Sequence, residues 1–381
     1  MLVLVYSQLA MDARVLRQVR WLSERYEVTS AAFGPSPVEG VEHIELENLA
    51  PYQPSILSRF GYITGFILRM YGPVTRRNFR DREARRRLGG RNWDVVIAND
   101  VATLPVAFAL NPRCGVLADV HEYATRQGEH SRLWRWTEAP YMRWLVRQWL
   151  THAAAVTTVS TGLADSYLAE FGIPAGVVTN AAAMTNLRPR PVKAPIRLVH
   201  SGIPAPQRRL EIMIDAVRMS EADVTLDFYL IDDGSAYLTS LRERAASEPR
   251  VRFNSPVMQD SLLTTLNDYD VGLSIFPPTT FNLVWCLPNK FFDFVQARLG
   301  IIIGPSPEMV REVNTHGLGA ITEDFSAEAV AQVLDALTPE LVTSWKLAAD
   351  RAAQPLSGES QLERFDSAIE GLLASSRSNG L

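Results

Sequence analysis

The chain has 381 residues, too many for one ordinary hydrophobic core, so two domains of roughly 150–200 residues each are expected. Apolar residues make up 47% of it and the formal net charge is −4, which excludes wholesale disorder and gives no global reason to expect nucleic acid as a partner. The two cysteines, Cys114 and Cys286, lie far apart in apolar surroundings, which points to a reducing compartment and away from a disulfide framework or a zinc site.

Met1–Tyr6 is apolar but lacks the basic leader and the length of a signal peptide, and reads as a first strand. Asp12–Arg25 follows with apolar residues at helical spacing, and then come short apolar runs at Val28–Phe33, Val95–Ala98, Val116–Val120, Val156–Val159 and Val177–Thr179. Alternation of strand-like and helix-like segments predicts a parallel sheet with helices on both faces. Met184–Pro195 carries three prolines without periodicity and reads as a linker. The pattern then restarts, with strands at Arg197–His200, Leu226–Ile231, Val251–Phe253 and Val271–Ile275 and a helix at Leu210–Arg218. Pro288 is placed where a further helix begins and Gly300 where it ends, and Ile301–Ile303 reads as a buried strand. Leu362–Leu373 is the last predicted helix. The expected fold is α/β, with two doubly wound Rossmann-like domains facing across a cleft, and in such sheets ligands bind beyond the carboxyl ends of the strands. No apolar run reaches the 18 or so residues needed to span a membrane.

Three constellations carry chemistry. Asp119, His121 and Glu122 stand at the carboxyl end of a buried strand, where His121 could hydrogen-bond a sugar hydroxyl and Glu122 could orient it. Gly202 permits close backbone approach, and Arg208 at the mouth of the next helix suits an anion. Lys290 and Asp293 are three apart near a helix N-terminus, a setting that suits a phosphate and sugar hydroxyls, although a buried helix with one surface ion pair has the same pattern. The chain keeps three lysines against 35 arginines, which singles out Lys290 beside an apolar helix start. The loop after the first strand, Ser7–Asp12, has no glycine, so a nicotinamide cofactor is not expected, and there is no Walker-type loop. Asp232 and Asp233 are adjacent rather than spaced as a metal-binding Asp-x-Asp would be.

These features in this order resemble the retaining nucleotide-sugar glycosyltransferases of the GT-B fold, family four. Asp119, His121 and Glu122 match an Asp-x-His-Glu in the N-domain, and Gly202 with Arg208 matches a Gly and a Lys or Arg opening the C-domain. Pro288, Asn289, Lys290 and Asp293 match Pro-Asn-Lys-x-x-Glu, and the opening Asp12-Ala13-Arg14-Val15 and Val178-Thr179-Asn180 fit as well. The chain departs from the family in having Trp285 where a first glutamate often stands, with Asn282 a little upstream, and Ile203 where an arginine often follows the glycine.

The resemblance implies an N-terminal acceptor-side domain over 1–188, a nucleotide-sugar-binding domain over 189–361, and a C-terminal helix, 362–381, packed back on the first domain. It implies transfer of a sugar from a UDP- or GDP-sugar, without cofactor or metal, to a glycan or lipid-linked acceptor, as in cell-surface polysaccharide or glycolipid synthesis. His121, Arg208 and Lys290 are the implied catalytic residues. Gly202, Val257, Asn289, Asp293 and Glu122 are the implied donor-binding residues, Val257 through backbone contacts to the base and Asp293 through the ribose. Nine arginines between Arg69 and Arg91, the apolar stretch Phe60–Leu68 and the tryptophans of Trp134–Trp149 suggest contact with an anionic membrane, hence a cytoplasmic protein peripheral to the inner face of the plasma membrane. A non-catalytic GT-B scaffold and a nucleotide-sugar epimerase remain the alternatives.

Overall fold

The computed structural model describes residues 1–47 and 64–378. They form two compact units, one of Met1–Val178 with Thr280–Asn282 and Leu362–Leu381, the other of Thr179–Thr279 with Leu283–Gln361.

Unit 1 holds a parallel seven-stranded sheet: β1 (Leu2–Gln8), β2 (Thr29–Phe33), β3 (Glu42–Leu46), β4 (Val96–Asn99), β5 (Val116–Val120), β6 (Ala155–Thr158) and β7 (Gly176–Val177), in the order β3-β2-β1-β4-β5-β6-β7. The order reverses between β1 and β4, which opens a crevice at the carboxyl ends of those strands. The helix Ala13–Ser23 follows β1 because Asp12 caps it, its side chain accepting from Val15 N at 3.1 Å. Val15, Val19 and Leu22 of that helix bury against Val3, Val5 and Ile97. Phe365, Ile369 and Leu372 of the last helix, Gly358–Ser378, join the same core, and Tyr26 Oη donates to Asp366 there at 2.8 Å.

Unit 2 holds a parallel six-stranded sheet: β8 (Ile196–Gly202), β9 (Val224–Leu230), β10 (Val251–Asn254), β11 (Val271–Ser274), β12 (Gly300–Ile303) and β13 (Gly319–Ile321), in the order β10-β9-β8-β11-β12-β13. Its reversal lies between β8 and β11. Both faces are covered, so neighbours in one strand serve different cores: Leu198 and Ile302 pack on one side, Val199, Ile301 and Ile303 on the other.

Four expectations need correction. The boundary falls at Val178/Thr179 rather than at 188, because the segment read as a linker is pinned to unit 2: Thr185 Oγ1 donates to Gln296 O at 2.7 Å and Arg298 Nη2 donates to Thr185 O at 2.8 Å. The helix opened by Pro288 runs over Asn289–Gln296 and stops well before Gly300. Arg298 takes the left-handed turn expected of a glycine, with φ 61°, held by bonds to Gln296 O and Asp350. Gly300 instead begins β12, where a Cβ would lie 2.9 Å from the Trp345 ring. Two strands escaped prediction: β3 is an edge strand rich in charge, and β13 is only three residues long.

The arginine run is mixed in character. Arg87 pairs with Glu83 and Glu47 and Arg91 with Glu42, tying the helix Phe79–Leu88 and its end to β3, while Arg76, Arg77 and Arg80 are exposed. Of Phe60–Leu68, residues 60–63 lie outside the described residues; Ile67 and Leu68 are exposed. Among the four tryptophans of Trp134–Trp149, Trp136 is 86% exposed, whereas Trp144 and Trp149 stack into an aromatic cluster with Tyr71 and Tyr141. No helix among the described residues is long and apolar enough to cross a membrane.

Candidate functional site

In unit 1 the carboxyl end of β5 is organised around Asp119, which is fully buried. Arg14 grips it with two bonds, Nε to Oδ2 at 2.8 Å and Nη2 to Oδ1 at 2.7 Å, and Thr157 Oγ1 donates to Oδ1 at 2.7 Å. Burial alone would raise the Asp119 pKa, but the Arg14 guanidinium and His121 more than offset it and hold the carboxyl well below the usual range. Because Asp119 can only accept, the His121 Nε2 that lies 3.2 Å from it must carry a proton. His121 N donates to Asp100 Oδ1 at 3.2 Å, and the His121 Nδ1 lies 3.8 Å from Asp100 Oδ2. Burial lowers the imidazole pKa, yet Asp100 and Asp119 together leave it raised. His121 is therefore held with its Nε2 proton pointing at Asp119 and with a ring more basic than usual.

Asp100 was not singled out from the sequence. It follows β4 directly with φ 66°, a strained conformation for a residue with a Cβ, and such strain persists only where surrounding contacts hold it. With Ser7, Asp12, Asn99 and Glu122 it lines a polar cavity of about 210 Å³ at the β1/β4 reversal. Burial raises the Glu122 carboxyl there. The backbone turn carrying Glu122 is fixed by Tyr167, whose hydroxyl donates to Glu122 O at 2.9 Å and accepts from Ala124 N at 3.1 Å. Asn282 belongs to this unit, its side-chain oxygen accepting from Tyr123 N at 2.7 Å.

In unit 2 the corresponding place is the β8/β11 reversal. Lys290, in the first turn of the helix Asn289–Gln296, is buried, and its Nζ donates to Ser201 O at 3.0 Å and to His200 Nε2 at 3.0 Å. His200 Nδ1 lies 2.8 Å from Leu273 O, a pure acceptor, so Nδ1 carries the proton and Nε2 offers a lone pair to the lysine. Both partners of Lys290 are thus neutral. Burial and the Arg208 guanidinium push the Lys290 pKa down to about 7, with Asp293 opposing them. Burial and Lys290 in turn hold His200 well below its ordinary value, consistent with a neutral ring.

Gly202 ends β8 at φ 129°, and a Cβ there would stand 3.4 Å from Lys290 Nζ and 3.6 Å from Arg208 Nη1. Two cations therefore converge on bare backbone, an arrangement that suits an oxyanion. Arg208 reaches this point from the short turn Pro206–Arg208 rather than from the helix Glu211–Met219 that follows it. Asn289 is exposed at the first position of the Lys290 helix, Asp293 lies one turn on and half-buried, and Val257 is half-buried in the loop after β10. Unit 2 thus gathers Gly202, Arg208 and Lys290, while His121 and Glu122 belong to the separate set in unit 1. His200 escaped sequence reasoning; a histidine inside an otherwise apolar strand, one residue before a Ser-Gly end, was the available signal.

Two doubly wound parallel sheets, each with a polar set at its strand reversal, define the GT-B class. Residues 12–182 match the family model described as Glycosyltransferase Family 4. A glycosyltransferase from Rickettsia africae ESF-5 superposes at a TM-score of 0.69 with 13% identity, covering 98% of both chains. The sucrose-phosphate synthase of Thermosynechococcus elongatus does so at 0.69 and 13%, covering 98% of this chain and 99% of its own. Anabaena HepE, solved in complex with UDP, does so at 0.67 and 13%, covering 97% and 99%. No curated protein matches the sequence. The chain has the GT-B fold of these solved glycosyltransferases, and its residues 12–182 resemble Glycosyltransferase Family 4.

Proposed function

We propose that this glycosyltransferase transfers a hexose from a UDP- or GDP-sugar to an acceptor hydroxyl with retention of anomeric configuration, in cell-surface polysaccharide or glycolipid synthesis. The observation that carries the reading is the convergence of Lys290 and Arg208 on Gly202. Departure of a nucleoside diphosphate builds negative charge on its phosphates, and preorganised cations on bare backbone are what such charge needs. A metal is not required in this scheme, because the two side chains and the N-terminus of the helix at Asn289 supply the positive field. Asp293 would hold the ribose, and the backbone at Val257 the base. His121, held by Asp119, would donate to a sugar hydroxyl, and Glu122 in the polar cavity would orient the acceptor. HepE is a GT-B neighbour that binds UDP, which supports a nucleotide donor. Residues 1–178 would serve the acceptor and 179–361 the donor, in a cytoplasmic protein that touches the inner membrane face through its exposed arginines and Trp136.

Thermal stability against a panel of nucleoside diphosphates and their sugars, with and without excess chelator, tests this. One base should stabilise the wild type with chelator present, and Lys290→Ala should lose that response. No response to any nucleotide would favour a non-catalytic scaffold, disabled at Ile203 and Trp285.

A further inference from the structure

The polar cavity at the β1/β4 reversal is about 210 Å³, small for a ligand site and with room for little more than one sugar ring. Its hydrogen-bonding capacity is one-sided. Asn99 is fully buried and lines the cavity, yet its Oδ1 has no partner among the described residues. The amide cannot be turned to hide that oxygen, because Nδ2 donates to Leu4 O at 3.5 Å. Asp12, Asp100 and Glu122 add three carboxylates to the same lining, of which only Asp100 has an ion-pair partner among the described residues, His121.

The side-chain donors of the lining are already committed. Ser7 Oγ donates to Asp12 Oδ2 at 2.8 Å, Tyr6 Oη to Asp81 Oδ1 at 2.9 Å and Thr103 Oγ1 to Asp100 O at 2.9 Å. The Gln127 amide is engaged by Glu122. Arg80, the one cation among the described lining residues, is exposed, with its guanidinium 5.8 Å over the Phe33 ring. Even with Arg80 present and His121 protonated beside Asp100, the acids outnumber the cations by one. Burial raises the Glu122 carboxyl and Asp100 adds to that, against the opposing pull of Gln127 and His121. A ligand for such a site must bring donors and positive charge and needs no acceptors. A primary ammonium has three donors and no acceptor, whereas a carboxylate or phosphate has the opposite make-up. We infer that this cavity is specific for an amine-bearing sugar, with its ammonium held by Asn99 Oδ1, Asp100 and Glu122. That this sugar is the acceptor rests on the transfer proposed above; that the cavity takes an amine does not.

The test is calorimetric titration of the full chain with glucosamine, its 3-amino and 6-amino isomers, N-acetylglucosamine, glucose and glucuronate. A hydrogen bond to a charged group is worth roughly tenfold or more in affinity, so at least one amine should bind about tenfold tighter than glucose. N-acetylglucosamine, which has the ring without the charge, should bind no better than glucose, and glucuronate should bind more weakly. Glu122→Gln, nearly isosteric, should bring the preferred amine to within about threefold of glucose. Arg80→Gln, at an exposed position where folding is not at stake, should tighten the amine about twofold by removing a repelling charge, whereas a site built for an anion would weaken. No amine preferred over glucose, or a preference that survives Glu122→Gln unchanged, would overturn the proposal. The nucleotide response of the wild type, measured separately, keeps the two readings apart. A nucleotide response without an amine preference overturns this inference alone, and an amine preference without a nucleotide response supports the cavity while overturning the transfer.

Discussion

Donor binding should draw a proton onto Lys290. In the empty site its pKa is about 7, because it is buried, Arg208 repels it, and its hydrogen-bond partners His200 and Ser201 O carry no charge. Asp293 offsets this in part. A diphosphate about 4 Å away contributes roughly 4 kcal/mol per charge at an effective dielectric of 20, enough to return the amine to its ordinary range. Affinity then scales with the protonated fraction of the free site: about 0.9 at pH 6, about 0.5 at pH 7 and about 0.01 at pH 9. Between pH 6 and pH 9 the affinity for a nucleotide sugar should therefore fall close to 100-fold, or about 3 kcal/mol. A nucleotide sugar is the right probe because its diphosphate diester does not titrate over that range. Calorimetry in buffers of different ionisation enthalpy should record uptake of about 0.1 proton at pH 6, rising to about 0.9 at pH 8. Lys290→Arg, charged throughout, should show weaker dependence on pH. An affinity that stays flat in the wild type, with no proton taken up, would refute this account of the site.

Two further outcomes follow from the same contacts. Asp119→Asn leaves Arg14 without its counter-charge and should cost about 3–5 kcal/mol in urea unfolding, and a loss below about 1 kcal/mol would contradict the geometry. The Asp119 carboxyl is depressed in the folded state, so its contribution is present above the unfolded value near pH 4 and disappears as pH falls below it; the variant should lack that acid-side loss. His200→Leu keeps the packing but removes the acceptor that aims Lys290, which should weaken donor binding about tenfold and shift its pH midpoint downward. An unchanged midpoint would mean that His200 only fills space.

Much of the fold was legible because both sheets are parallel and buried, so their strands stand out as short apolar runs between helical periods. β3 was missed for the converse reason: it lies at an edge, and Glu42, His43 and Glu45 mask its pattern. The end of the Lys290 helix was misplaced because an arginine, Arg298, occupies a left-handed position that sequence rules give to glycine, and only its bonds to residues as distant as Asp350 make that affordable. Asp119, Gly202 and Lys290 were visible as residue types at strand and helix ends. What they do was not, because the Arg14–Asp119 pair spans 105 residues and the Lys290–His200 pair spans 90.

The scarcity of lysine marks something narrower than function. Of the three, Lys193 is exposed, while both Lys290 and Lys346 are buried. Lys346 lies 3.4 Å from Asp270 and donates to Tyr269 O at 2.6 Å, so its charge is matched and the pair ties the helix Pro339–Ala352 to β11. Asp119 is likewise matched, by Arg14. Lys290 differs in its surroundings: two neutral partners, a second cation converging on the same glycine, and an amine whose pKa has dropped to about 7 in consequence. Buried charges that are balanced within the fold act on stability, and breaking one is costly. A buried amine with neutral hydrogen-bond partners and a second cation, opposed only in part by Asp293, lacks such a balance in the empty protein, and an anion from outside would complete it. That imbalance, rather than burial or residue type, is what separates the lysine of the proposed donor site from the lysine of the core.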